Sequence, residues 1–153
     1  MRRQSRITTC LWFDNNGEEA AELYVSLAPN LRIVNIARYG AGGRMPEGLA
    51  IMVRLELDGA SFSALNGGPV FAQSEAASIV FACEDQAEID HLRTSLTADG
   101  GKPSQCSWLE DRYGISRQTI PAMLEPVMSA SDPAQRARLG DDHVDDKVQH
   151  RCD

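Results

Sequence analysis

Few side chains in this sequence carry chemistry, and their spacing limits what they can do. A cysteine nucleophile needs a base beside it. Cys10 and Cys83 lie in apolar, strand-like runs, and the one histidine outside the C-terminal stretch, His91, falls on a helix that nothing ties to either. Both thiols read as buried, reduced and packed as small hydrophobes. The remaining cysteines, Cys106 and Cys152, complete no Cys-x-x-Cys pair, and the chain is long enough to form a core without a disulfide framework. No Gly-x-Ser-x-Gly is present. His143, His150 and Cys152 sit among aspartates without a closed metal-ligand spacing, and His91 reads as solvent-facing. Gly40-Ala41-Gly42-Gly43 follows a strand but leads into another strand. It therefore reads as a flexible connection, not as the glycine-rich strand-to-helix turn on which a methyltransferase would hold its cofactor.

These residues must be positioned by a chain of 153 residues, enough for one ordinary domain or two small halves sharing a core. Hydrophobic residues make up 42% and charged residues 24%, a globular profile. The net charge of −7 argues against a nucleic-acid interface and against docking on an anionic membrane. No apolar run approaches the ~18 residues of a membrane-spanning helix. The basic start Met1 to Arg6 and the short apolar run Ile7 to Phe13 lack a following small-residue cleavage site. They do not read as a signal peptide, and a cytoplasmic location is expected.

Periodicity gives the elements. Ile7 to Phe13 reads as a strand; Glu18 to Leu27 has helical spacing through Ala20, Leu23, Tyr24 and Leu27. Leu31 to Tyr39 and Leu49 to Leu57 alternate as strands, the latter with Ile51, Val53, Leu55 and Leu57 on one face. Asp58-Gly59 is a hairpin turn, with Ala60 to Asn66 returning. Ala76 to Cys83 is again strand-like. Asp85-Gln86-Ala87-Glu88 has capping-box form and opens a helix with Ile89, Leu92 and Leu96 as its apolar stripe. Gly100-Gly101 ends that helix. Two short strands follow, around Ser104 to Leu109 and Ile115 to Ile120, flanking the turn Asp111-Arg112-Tyr113-Gly114. Pro121 to Met128 reads as a short amphipathic helix, and 129–153 as an acidic, largely disordered tail.

The order strand, helix, strands thus occurs twice. The halves also match at a spacing of 69 residues: Thr9 falls on Ser78, Trp12 on Phe81, Asn16 on Asp85, Leu23 on Leu92 and Leu27 on Leu96. With Leu11-Trp12-Phe13-Asp14, Glu18 to Tyr24, Leu65-Asn66-Gly67-Gly68-Pro69 and Cys106 to Gly114 followed by Ile115 to Pro121, the chain resembles the PhnB-like branch of the vicinal oxygen chelate superfamily. That superfamily includes glyoxalases, bleomycin-resistance proteins and extradiol dioxygenases. The resemblance covers about residues 7 to 128. It implies an α+β fold in which paired βαβββ modules, about 7–66 and 76–121, form an incomplete, curled mixed β-barrel with helices outside and a concave pocket. It also implies a homodimer. Some relatives are catalogued as 3-demethylubiquinone-9 3-methyltransferases.

Superfamily enzymes hold one divalent metal through His, Glu or Gln on the first and last strands of each module. Carried onto this chain, those positions fall at or beside Thr9, near Asn66, at or beside Ser78 and at Gln118. Four neutral side chains are poor ligands for a transition metal. The expectation is therefore a protein with no metal or other cofactor, binding an apolar or aromatic small molecule through burial and a few hydrogen bonds. Thr9, Asn66, Ser78 and Gln118 would line the site, with Trp12 and Trp108 as aromatic walls. Asn66 has a second reading as a strand end before a strained turn, and the two tryptophans a second reading as core. A metal-dependent lyase, isomerase or dioxygenase is the alternative, and a methyltransferase a further one.

Overall fold

The computed structural model describes residues 6–124 together with Pro126, Ser129, Pro133 and Ala134. The readings of Pro121 to Met128 as a helix and of 129–153 as a disordered tail fall largely outside the described residues.

The chain divides into two units, 1–73 and 74–153. In the first, β1 (Thr9–Phe13) leads into α1 (Gly17–Ser26), and β2 (Leu31–Arg38), β3 (Ala50–Leu57) and β4 (Ala60–Asn66) follow. The β3–β4 hairpin turns on Asp58 and Gly59, at φ of 47° and 82°. Two successive positive φ values are what a type I′ turn requires, and Asp-Gly supplies them at low cost. β4 then runs parallel to β1, so the strand order is β1-β4-β3-β2.

The second unit repeats the plan. β5 (Ser78–Cys83) leads into α2 (Gln86–Thr97) and a 3-10 turn at Ala98–Gly100, and the order β5-β8-β7-β6 follows from β6 (Lys102–Pro103), β7 (Trp108–Glu110) and β8 (Ser116–Pro121). β5 pairs with β8 in parallel. Both sheets are four-stranded and mixed, and each module is βαβββ. The two-residue β6 was not foreseen. It is exposed and contains a proline, so neither alternation nor propensity marks it.

Each helix packs an apolar stripe on its own sheet. On α1 the buried residues are Ala20, Ala21 and Tyr24, followed by Leu27 just past its end. Leu23, expected in the stripe, is only half-buried. On α2 the stripe is Ile89, Leu92 and Leu96, as the periodicity implies. The Asp85 carboxylate accepts from Glu88 N at 2.8 Å, and Glu88 Oε2 accepts from Glu84 N at 2.7 Å, so the capping box forms. α1 begins differently. Asn16 makes no side-chain cap; instead Asn66, at the end of β4, reaches across to accept from Gly17 N at 2.8 Å.

Candidate functional site

Side chains alternate across a strand, so the register of each sheet assigns every residue to a face. In the second unit Ser78 pairs with Ser116, Val80 with Gln118, and Gln118 with Trp108. These residues, with Ala82, Ile120 and Glu110, share one face. The opposite face holds Cys83, Leu109, Arg117 and Thr119, all 2% exposed or less, and lies under α2. On that covered side Asp111 and Arg117, both fully buried, form an ion pair at 3.2 Å. Asp111 also accepts from Tyr113 N and Ile115 N, and the Arg117 guanidinium lies 5.9 Å from the Phe81 ring centroid. The turn Asp111 to Gly114, with Gly114 at φ 84°, is thus built around one carboxylate, which is a structural task.

The face turned away from α2 is unevenly exposed, with Ser116 buried at 3%. Val80 is 48% exposed, and Trp108 and Gln118 are half-buried. Gln118 Nε2 donates to Ser78 Oγ at 2.8 Å, tying the two sequence-derived site residues of this module together. Trp108, Gln118 and Val80 stand side by side across β7, β8 and β5, an aromatic and an aliphatic group flanking one amide.

The first unit places its sequence-derived residues otherwise. A Cβ added to Gly17 would meet Asn66 Oδ1, Ala64 and Phe13, so these three lie on the α1 side. Asn66 is 1% exposed; its oxygen accepts from Gly17 N and its Nδ2 donates to Ala50 O at 2.9 Å. Its amide thus joins the helix start to two strands from beneath the helix. Thr9, exposed at the start of β1, shares the face of Leu11 and Phe13, not the opposite one. Trp12 does lie on the helix-free face. Its Nε1 donates to Gly68 O at 2.9 Å, its ring meets Phe71 edge-on at 4.9 Å, and Gln73 donates to its carbonyl. A Cβ on Gly67 would lie 2.2 Å from the indole, so glycine there is demanded by close approach.

The registers also correct the repeat. Phe13 and Cys83 are the buried last residues of β1 and β5, yet Gly17 and Gln86 begin the helices. The helices therefore match at a spacing of 69 and the strands at 70, because the connection before α1 is one residue longer. By the strand spacing, Ser78 corresponds to Thr8. Cys10 pairs with Ser63 as Val80 pairs with Gln118, so Ser63 is the counterpart of Gln118. Ser63, 4% exposed, was missed from sequence. The alternation of β4 alone could have separated it from Asn66, since 63 and 66 differ in parity.

Thr8, Ser63, Ser78 and Gln118 are all neutral, and neither imidazole nor carboxylate stands among them. Within each unit these neutral pairs, Thr8 with Ser63 and Ser78 with Gln118, are a poor fit to the superfamily's transition metal. Among the described residues no three His, Cys, Asp or Glu side chains gather as a metal-holding group, and His91 is exposed on α2. An open groove of about 520 Å³ lies elsewhere in the first unit, beside the start of α1, lined by Glu18, Glu22, Asn16, Met45 and Leu49 among others. None of the sequence-derived site residues lines it. At its edge Arg38 grips both Glu18 carboxylate oxygens, at 2.6 and 2.8 Å, and this hydrogen bonding lowers the Glu18 pKa. Of the thiols, Cys83 is buried as expected, whereas Cys10 is exposed on the helix-free face of the edge strand β1. Burial first, then the nearby Glu88 and Asp85 carboxylates, push the Cys83 thiol up to about 11. That makes it a poor nucleophile at neutral pH.

The βαβββ pair has known relatives. Residues 5–120 match the family model described as 3-demethylubiquinone-9 3-methyltransferase. Among solved structures, a putative 3-demethylubiquinone-9 3-methyltransferase, PhnB protein, from Bacillus cereus is 33% identical, with a TM-score of 0.71 over 77% of this chain and 100% of that one. Two more distant structures share the fold. A possible glyoxalase from Bacillus cereus is 13% identical, with a TM-score of 0.53 over 77% of this chain and 99% of that one. The fosfomycin resistance protein FosX of Listeria monocytogenes, whose structure holds Mn(II) and a dihydroxypropylphosphonic acid, is 14% identical, with a TM-score of 0.55 over 84% of this chain and 99% of that one. Comparison with curated proteins finds no match. By family model, identity and fold together, the chain belongs to the PhnB-like family described as 3-demethylubiquinone-9 3-methyltransferase, within the vicinal oxygen chelate superfamily.

Proposed function

We propose that this protein binds a small apolar or aromatic molecule on the helix-free face of its sheet, as a cytoplasmic homodimer and without the superfamily's usual metal. The observation that carries this reading is the Gln118–Ser78 hydrogen bond beside Trp108. Positions that hold metal ligands in enzymes of the superfamily here hold a neutral pair bonded to each other, flanked by an aromatic ring and an exposed valine. Such a surface supports binding by apolar contact with a few oriented hydrogen bonds. The family's descriptive name is not carried over as an activity. Both sheets are mixed, Gly40 to Gly43 leads to β3 and not to a helix, and the connections from β1 to α1 and from β5 to α2 are not glycine-rich, so the parallel sheet and glycine-rich strand-to-helix turn of usual S-adenosylmethionine sites are missing.

Native mass spectrometry of untagged protein, purified without added metal or chelator, tests the proposal. The expected result is a dimer mass free of metal, with an organic adduct. One stoichiometric divalent metal per chain would overturn the metal-free reading and direct attention to enzymes acting on adjacent oxygens.

A further inference from the structure

We infer that the helix-free face of the first unit carries an anion subsite, built on Arg54 and Ser63, that takes the carboxylate of a small apolar acid. The inference rests on the ligand-binding reading above and adds the charge of the ligand's polar end.

Across β4, β3 and β2, Ser63 is in register with Arg54, and Arg54 with Asn35. Residues so paired share a face, with Cβ atoms about 5 Å apart. Ala64 and Asn66 face α1, so Ser63 and its row stand on the helix-free side. Ser63 is 4% exposed, yet its hydroxyl makes no hydrogen bond among the described residues. A buried polar group left without a partner costs stability, and a ligand that supplies one removes that cost. Beside it the half-buried Arg54 guanidinium presents five N–H donors in a planar fork, enough to hold a carboxylate while engaging another group. Asn35 adds an exposed amide at the end of the row. The row therefore offers donors and one positive charge.

The rows on either side set the rest of the ligand. Two residues along each strand, Trp12, Leu65 and Met52 are in register and form an apolar strip on the same face. It lies about 7 Å from the polar row, the span from a phenyl ring across two methylenes to a carboxylate. In the row on the other side stands a carboxylate, Glu56, which Arg32 grips at 2.8 Å, so its charge is compensated. One guanidinium matches the single charge of a carboxylate, and the strip supports an apolar body.

Calorimetric titration of the full-length protein at neutral pH with hydrocinnamate (a phenyl ring two methylenes from a carboxylate) and with its primary amide tests this. The acid should bind at least about tenfold more tightly, because hydrogen bonds to an ionised acceptor are roughly twice as strong as neutral ones. Arg54→Gln should bring the two affinities close together, and Arg54→Lys should keep part of the difference. Ser63→Ala should weaken the acid about threefold or more while the thermal midpoint holds or rises, since the hydroxyl it removes bonds to nothing in the fold. Met52→Ala should weaken both probes. If acid and amide bind equally, or the preference survives Arg54→Gln, while Met52→Ala weakens both, the anion subsite is overturned and the binding face stands. If neither probe binds, or Met52→Ala changes nothing, the subsite and this binding face fall together.

Discussion

Asn66 shows how one side chain can replace a helix cap. Its oxygen accepts from Gly17 N and its nitrogen donates to Ala50 O, both in a buried setting. Removing it leaves a backbone donor and acceptor without partners, which costs about 1–3 kcal/mol for each group. Asn66→Ala should therefore lower stability by roughly 2 kcal/mol or more in urea denaturation. An unchanged midpoint would show that water replaces both bonds. The two free thiols make a second contrast at this scale. With its pKa pushed up to about 11 from 9.0, Cys83 should resist iodoacetamide at pH 8 while exposed Cys10 reacts, as read by peptide mass spectrometry. The raised value favours the protonated thiol in the fold. Its contribution to stability is complete below pH 9 and is lost as pH rises toward about 11.

The two helices begin by different means, and substitution should separate them. Asp85 caps α2 through Glu88 N. Asp85→Ala should therefore cost about 1 kcal/mol. Asn16 holds the same place before α1 but makes no side-chain cap, so Asn16→Ala should cost a few tenths at most. Thermal unfolding of the two variants side by side measures the difference, and equal losses would contradict it. The strands carry the complementary lesson. A strand residue's face depends on its parity, so the one-residue difference in the connection before each helix reverses which of two aligned residues faces its helix. Thr9 and Ser78 align by the helices yet stand on opposite faces of their sheets.

At the scale of the molecule, the proposed metal-free binding is tested by chelation. Dialysis against EDTA should leave the unfolding midpoint unchanged. A fall that zinc or manganese reverses would show a metal site and overturn that reading. Much of the architecture was written in local sequence. Asp58-Gly59 dictated its turn, Asp85 and Glu88 their cap, and the spacing of Ile89, Leu92 and Leu96 a buried stripe, because each depends on residues a few positions apart; the full βαβββ plan of the second module, with its short β6, was implied by the family resemblance. Of the site residues expected from sequence, Ser78 and Gln118 of the second module are the pair that meets. Tertiary structure alone decided that Asn66 serves the helix start, that Ser63 is the true counterpart of Gln118, and that Cys10 is exposed. Those outcomes depend on the register between strands some fifty residues apart in sequence, a property of hydrogen-bond pairing across the sheet that no local pattern records.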